Sequence, residues 1–575
     1  MVHKPEATGQ HLPRLLFLRL LALTHVAAFA SFWVQAHGLV GEQGVAPAVD
    51  RVARAKAMGL GFLDLPGLHW LSAGDGMISV ISAGGLLAAV ALFVGVAPRI
   101  MLGVLWLLYL SVFHMGGPFL SFQWDLLLIE ASLLAIPYAP AGLRPRFRTA
   151  EPPSAWATWL LRLLLFKLMF SSGVVKLNNA DPTWHGLTAL SYHYWTQPIP
   201  HGVAWYAHQL PAWVHAFSTA ATLVIELVAP ILILVNPRRW RLAVFVALTV
   251  LLAVLQGGVF GPWTVAGLAL AATLLDDRVL GRVAPGLVPD PAPGGGARWA
   301  AFVSIVGLMG AISLTGNYGF FQLLTVALCL PLLDDEAFWA LTPARLIPKW
   351  PAFRVLQPGW VGRGLAVILT LAFTVLSALT MISLVGGQAL GEAVNAEKGG
   401  QASTGQALLA KAWDLRRDAL AHTRSFASIN GYGLFARMTT QRFELQVEGT
   451  ADGQTWKTYR FVYKPDAADE APPLVGVHMP RLDWNMWFAA LEPRCPTSGW
   501  LPQLVRGLLE GRAPVRDLLA EDPFGDTPPQ AIRIRRAHYK FTDGDTRDRT
   551  GDVWAVQPVD ELCAPMTLKD FKPRR

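Results

Sequence analysis

The chain has 575 residues, 53% hydrophobic and 15% charged, with a net charge of +8 and a mean hydropathy of +0.38. A soluble globular chain carries about a quarter charged residues, so a single soluble domain is excluded. Nucleic acid is not indicated as a partner either, because the arginines form short clusters between apolar runs and no basic stripe interleaves with aromatics.

The first apolar run, Leu15 to Val34, follows Lys4 and Arg14 with no obvious small-residue cleavage site, and reads as an uncleaved signal anchor. Further runs are Met77–Ala97, Ile100–Met115, Phe119–Pro137, Trp156–Lys176, Ala212–Val235 and Leu242–Gln256, then Trp263–Leu275, Ala300–Leu314, Phe320–Leu333 and Leu365–Val385. Together they predict a polytopic α-helical membrane bundle of about eleven spans over residues 1–387. The polar remainder, 388–575, reads as one soluble, β-rich α+β domain.

Basic residues set the orientation. With the N-terminus in the cytoplasm, Arg99, the 144–148 cluster and the clusters at 238–241, 278–282 and 345–363 all fall inside. The loops around Gly117, Asn178–Pro211, Gly261 and Gly319 carry no Lys or Arg; only Arg51, Arg54 and Lys56 break the pattern. This places the C-terminal domain outside the cytoplasm. Cys495 and Cys563 share that domain and are able to pair in an oxidising space, whereas three cysteines exclude a disulfide framework or a cysteine-rich metal site.

Residues 245–277 resemble 303–335, and LLDD recurs at the end of each copy. Gly316, Asn317 and Gly319 in the second copy suit left-handed turn positions. In the soluble part, a helix is expected over Gly405–Ala421. Strands are expected at Leu434–Met438, Arg442–Glu448, Lys457–Tyr463 and Ala531–Phe541, with a hairpin turn at Thr450–Gly453. Helices fit Trp484–Leu491 and Leu501–Glu510.

Ionisable groups at bilayer depth are functional candidates. At about 1.5 Å per residue, Lys167 lies about 16 Å from the inner end of its helix, a depth that matches both Glu130 and Glu226, so either could form an ion pair with it. Lys176 sits near the outer end of the same helix. It reads either as a snorkelling lysine or as a desolvated amine able to act as a base. Asp125 is a further candidate. The outer loop brings Asp181, Trp184, His185, His193 and His208 together with many aromatics. Its histidine spacing does not match compact zinc motifs, so no metal is expected and an interfacial aromatic belt is. Trp484, Trp487 and Phe488 on one helix are candidate anchors for a client protein, or else core.

Several long stretches carry a resemblance. They are FLSFQWDLLLIEASLLAIPYAP (Phe119–Pro140), LLRLLLFKLMFSSGVVKLNNADPTWHGL with its continuation to Trp213, and TGNYGFFQLLTVALCLPLLDD (Thr315–Asp335). SINGYGLFARMTTQRFELQVEGTADGQTWKTYRFVYKP (Ser428–Pro465) and VHMPRLDWNMWFAAL (Val477–Leu491) complete the set. On these the chain resembles the lipase maturation factor family. The resemblance implies a membrane chaperone-like factor that assists folding, assembly or maturation of a secreted, lipase-like or envelope client. It implies no lipase chemistry and no cofactor, and the other partner is membrane lipid. The Ala/Leu/Arg-rich composition and the lack of an ER-retrieval signal suggest a bacterial inner membrane with a periplasmic domain; in a eukaryote the domain would be in the ER lumen. GVVKLNNADPTW is also similar to the catalytic lysine segment of vitamin K-dependent gamma-carboxylases. That likeness implies an alternative, an outer-leaflet enzyme acting on a lipid or quinone, with Lys176 as base and Asp125 beside it in a lateral cavity.

Overall fold

The computed structural model describes residues 9–146, 152–234, 295–339, 360–385 and 423–571, and a few positions between 395 and 421. The helices begin with α1 (His11–Val40), α2 (Ala48–Ala57), α3 (Asp75–Val94), α4 (Pro98–Gly116), α5 (Gln123–Tyr138) and α6 (Ala155–Asn178). Three short helices follow, α7 (Pro182–His185), α8 (Ala189–Thr196) and α9 (Gly202–His208). Then come α10 (Ala212–Leu234), α11 (Gly295–Thr315), α12 (Phe321–Cys329), α13 (Asp335–Trp339) and α14 (Trp360–Val385). Helices apolar on every face can settle only in a protein core or a bilayer. Local signals set their ends. Pro98 opens α4 where its missing N–H costs nothing, and Gly95 closes α3 at a φ of +89°.

Among the described residues, five helices are long and apolar enough to cross a membrane: α1, α3, α4 with its following turn, α10 and α11. The expectation of about eleven is not supported. The reasons are physical. Helix α5 has only 16 residues. Helix α6 has 24 but carries Arg162, Lys167 and Lys176 and buries most of its side chains in protein. The apolar part of α14, Ala366–Met381, and the α12 run, Phe321–Leu332, are likewise below spanning length. The runs at 242–256 and 263–275, the first repeat copy at 245–277 and most of 405–421 lie outside the described residues.

In the bundle α1 packs on α3 and α12, α6 on α5, α10 and α14, and α10 on α11. The connections sort to two ends. At one end Arg99 Nε donates to Ala139 O, Gln10 to Pro331 and Leu333 O, and Asp335 N to Gly9 O. There Asp335 also accepts from His11 N (3.2 Å) and Leu12 N (2.8 Å), so the last residue of the second LLDD caps α1.

At the other end lie the 117–122 turn, the 179–211 segment and the 316–320 turn, under the C-terminal region. That region contains β1 (Arg442–Thr450), β2 (Trp456–Thr458), β3 (Arg460–Phe461), α15 (Arg481–Ala490), α16 (Trp500–Leu509) and α17 (Ala513–Arg516). It continues with β4 (Leu519–Glu521), β5 (Ala531–Phe541), α18 (Gly544–Thr550) and β6 (Trp554–Met566). An antiparallel sheet runs β2-β1-β5-β6, with Arg442 opposite Tyr539 and Thr450 opposite Ala531. The β1–β2 turn has Gly453 at φ +75°, and Asp452 Oδ1 accepts from Gln454 N and Thr455 N. Leu501, Leu504, Val505, Leu508 and Leu509 form the buried stripe of α16. Cys495 and Cys563 are disulfide-bonded and tie the segment after α15 to β6.

Two strand expectations fail. Leu434–Met438 is not a strand, because Phe435 takes φ +52° as the segment turns against α6. The 457–463 run breaks into β2 and β3, and β6 was not anticipated. One buried hydrophobic cluster runs unbroken from α1 through α5 to Trp484 and Ile534, so the C-terminal region shares the core of the bundle.

Candidate functional site

The carboxylates of the bundle are sockets for the C-terminal region. Asp125, in the first turn of α5, accepts from Arg481 Nη2 (2.7 Å), Arg481 Nη1 (3.0 Å) and the Tyr109 hydroxyl (2.6 Å); all three side chains are buried. Arg481 also donates to Phe119 O at 2.6 Å, so the guanidinium spends its fork on the end of α5. One turn further along α5, Glu130 pairs with Lys167 through Oε1. Its Oε2 accepts from Asn430 N and Nδ2 (3.1 and 3.0 Å) and from Tyr432 Oη (2.6 Å). Arg442 Nη2 donates to Pro198 O at 2.9 Å, and its Nη1 donates to Trp195 O and Gln197 O. Charges this deep are tolerated because every one is paired and hydrogen-bonded.

Lys176 does not share Glu130. Its Nζ lies 2.9 Å from Glu226 Oε1, 2.8 Å from Oε2 and 3.2 Å from Ser172 O, with the Trp184 ring 5.2 Å away. Gly173 lets α6 and α10 close up enough for this: a Cβ there would sit 2.7 Å from Leu227 Cγ and 3.1 Å from Glu226 Cβ. The pair lines a cavity of about 440 Å³ bounded by α6, α8, α10, α11, Tyr318 and the 434–435 turn. Asp125 does not line it; Arg481 holds Asp125 elsewhere. An amine whose donors go to a carboxylate, a carbonyl and a ring face is not a poised base. The geometry therefore gives no support to the outer-leaflet enzyme.

Part of the outer loop's aromatic set is covered by protein, whereas Tyr206 stays exposed. Tyr194, Trp195 and Trp205 are buried against Tyr539, Phe541 and Trp554 of β5 and β6, because the C-terminal sheet covers α8 and α9. Asp181 caps α7 through Thr183 N and Trp184 N, and its other oxygen accepts from Met438 N at 2.9 Å. Trp184 is buried and donates to Phe435 O. His185 Nε2 lies 3.0 Å from Leu177 O, and His193 Nε2 lies 3.1 Å from the Tyr318 hydroxyl. His208 packs near His215 and Phe541, and burial pushes it down to about 4, with His215 and Lys540 adding to the shift. Among the described residues, no group of three or more His, Cys, Asp or Glu is placed to hold a metal.

Of the expected left-handed turn residues, only Gly319 has positive φ, +59°. Gly316 is needed for space: a Cβ would meet Gln197 Oε1 at 2.1 Å. Asn317 is a three-way tie. It donates to Pro200 O (3.0 Å) and Pro473 O (2.9 Å) and accepts from Val475 N (3.0 Å).

The client anchors divide. Trp484 packs on Trp124 and Phe122, and Trp487 Nε1 donates to Thr196 O, so both are buried at the junction with the bundle. Only Phe488 keeps exposed surface, 44%. Sequence reasoning missed Arg481, Arg442, Tyr432 and Asn430. A signal did exist for the first: Asp125 had no cation assigned to it, and an unpaired buried carboxylate demands one.

Residues 12–282 match the family model described as the lipase maturation factor transmembrane domain, and residues 428–564 match the lipase maturation factor C-terminal domain. Similar relatives include lipase maturation factor 2 of Gallus gallus, 34% identical over 97% of this chain and 82% of that protein. The Homo sapiens lipase maturation factor 2 is 34% identical over 98% and 84%. Lipase maturation factor 1 of Homo sapiens is 26% identical over 98% and 89%. No solved structure matches.

Proposed function

The chain belongs to the lipase maturation factor family, and we propose that it is a membrane-anchored factor assisting the folding, assembly or maturation of a secreted, lipase-like client outside the cytoplasm. The observation that carries this reading is the pairing of a helical membrane region with a folded C-terminal region, both matched by the family's own two domain models. Orientation is supported by charge: the loops beneath the C-terminal region are the ones free of Lys and Arg, apart from the 51–56 stretch. The Cys495–Cys563 disulfide suits an oxidising compartment, a periplasm or an ER lumen.

Client contact falls to exposed apolar side chains of the C-terminal region. Phe488 and Leu491, on one end of α15, are such a pair, 44% and 43% exposed. The test is co-expression with a secreted lipase in cells lacking their own maturation factor. The chain should raise lipase activity per unit of secreted lipase antigen. Phe488→Ser should lower that ratio while leaving the chain's own level unchanged. An activity-to-antigen ratio that does not respond to the chain would refute the reading.

A further inference from the structure

Residues 41–74 join α1 to α3, two of the candidate spans, and they hold Arg51, Arg54 and Lys56, the exception in the charge pattern. The segment enters through α2, which buries Ala48, Val52 and Ala55 on one face and leaves Arg54 and Lys56 exposed. It returns through 58–71, whose side chains face two ways. Pro66, Gly67 and His69 are buried, whereas Phe62, Leu63 and Leu71 are 52%, 71% and 78% exposed.

The buried face fixes the depth of this loop. Leu68 N donates to Ser111 Oγ at 2.9 Å, and a Cβ on Gly67 would meet Ser111 Cα at 3.0 Å, so the loop backbone lies directly on α4. Gly84 of α3 lies opposite Leu108 of α4, since a Cβ on it would meet Leu108 Cδ1 at 3.6 Å. The two helices run antiparallel from the 95–97 turn, so Ser111 is level with Ile81. At about 1.5 Å per residue, that is about 9 Å inside the Asp75 end of a span. Arg51 sits higher. Its guanidinium lies against Gly117 at the outer end of α4, where a Cβ on the glycine would overlap Nη2. The cations of α2 are thus level with the span ends, and the loop that follows reaches below them.

The backbone suits that depth. The amides of Met58, Gly59, Leu60, Asp64, Leu65 and Leu71 donate to carbonyls within 54–68, and Gly61 N donates to Asp64 Oδ2 at 2.8 Å. Trp70 Nε1 donates to Leu65 O at 2.6 Å. Irregular backbone enters the edge of a bilayer only when protein satisfies its polar groups in this way. Val80 of α3, at the level of Ser111, is itself exposed, so the apolar surface of the loop continues onto a span.

We propose that the 58–71 loop is an interfacial membrane element in the leaflet beneath the C-terminal region: Phe62, Leu63 and Leu71 enter the edge of the acyl layer, and Arg54 and Lys56 take the phospholipid phosphates above them. The occupant is lipid rather than a protein partner because the exposed apolar side chains belong to a loop docked within the length of two spans. Its depth is that of interfacial elements, about 5–10 Å into the headgroup and acyl boundary. The contact needs no client, so its failure leaves the maturation reading untouched.

The test uses the full chain in nanodiscs of phosphatidylcholine and phosphatidylglycerol, with an environment-sensitive fluorophore on Leu63→Cys; the native cysteines are disulfide-bonded or buried. Asp526→Cys, exposed in the C-terminal region, is the aqueous comparator. Phosphatidylcholine carrying a nitroxide near the headgroup end of its acyl chain should quench the label at 63 about three-fold more than the label at 526, and aqueous iodide should do the reverse. Arg54→Glu combined with Lys56→Glu should cut the lipid quenching at 63 about two-fold at an unchanged melting temperature. Iodide quenching at 63 equal to that at 526 would put the loop in water and overturn the proposal. Shielding of 63 from both quenchers would put protein over it and overturn it equally. Lipid quenching that ignores the double charge reversal would overturn the role given to Arg54 and Lys56.

Discussion

Replacing Arg481 by methionine isolates what joins the two regions. The guanidinium is fully buried and holds Asp125 through two hydrogen bonds of 2.7 and 3.0 Å, with Phe119 O on a third. Methionine keeps the aliphatic stem but strands the Asp125 carboxylate, which retains only the Tyr109 hydroxyl at 2.6 Å. Removing one partner of a buried ion pair costs about 3–5 kcal/mol. Against a total stability of about 5–15 kcal/mol, that is a large share. For a chain of this size the melting temperature should fall by on the order of 5 °C. The assay is thermal unfolding of the full chain in detergent, followed by cleavage at a protease site inserted between residues 386 and 422. Arg481→Met should release the C-terminal fragment from the bundle on size exclusion. Asp125→Asn combined with Arg481→Met should recover part of the loss, because the stranded charge is gone. If Arg481→Met melts and fractionates like the wild type, or the double variant is no better than the single one, the pair does not hold the junction.

Further outcomes follow from the same geometry. Asn317→Ala removes a donor to two carbonyls and the acceptor for Val475 N, and should cost about 1–3 kcal/mol, read as earlier denaturation and faster exchange of the Val475 amide. Gly173→Val should push α6 from α10, break the Lys176–Glu226 contact and lower thermal stability more than Gly307→Val, which meets open space. Cys495→Ala opens a loop of sequence separation 68 and should destabilise by up to about 4 kcal/mol on loop entropy, visible as a lower urea midpoint. On acidification, His193, His208 and His478, each held at about 4 by burial, bind protons more readily when unfolded. Their contribution is complete above pH 6.5 and is lost as pH falls toward 4. Asp483, raised to about 6 by burial, acts oppositely and favours the fold as pH falls below 6. The melting temperature should therefore drop between pH 6.5 and 4, and Asp483→Asn should steepen the drop.

What was legible in the sequence and what was not follow from the range of each interaction. Helix positions depend on hydrophobicity over a window, and α1, α3, α4, α10 and α11 lie where the apolar runs are. The β1–β5 pairing depends on alternation within each strand, and both were anticipated, whereas β6 is mostly exposed along one flank and lacks that alternation. The buried charges depend on partners hundreds of residues away. Asp125 waits for Arg481, Glu130 for Asn430 and Tyr432, Asp181 for Met438 N, and the carbonyls of 195–198 for Arg442. Depth estimates located Lys167 correctly against Glu130 but could not choose between Glu130 and Glu226, because the choice is made by a glycine at 173 that brings Glu226 to Lys176 instead. The same long-range contacts bear on how the C-terminal region is held. A soluble domain on a tether would need no polar residues inside the bundle to receive it. Here Trp484, Trp487, Arg442 and Arg481 are buried and each contacts the N-terminal half: Trp484 packs on Trp124, and the other three donate to Thr196 O, to the 195–198 carbonyls and to Phe119 O. Cut away from the bundle, the 423–575 region would expose two arginines and an aromatic face that no residue of its own completes. It should aggregate or remain partly unfolded when expressed alone. Recovery of a monomeric, cooperatively melting 423–575 fragment would show that the junction is a docked contact rather than shared core.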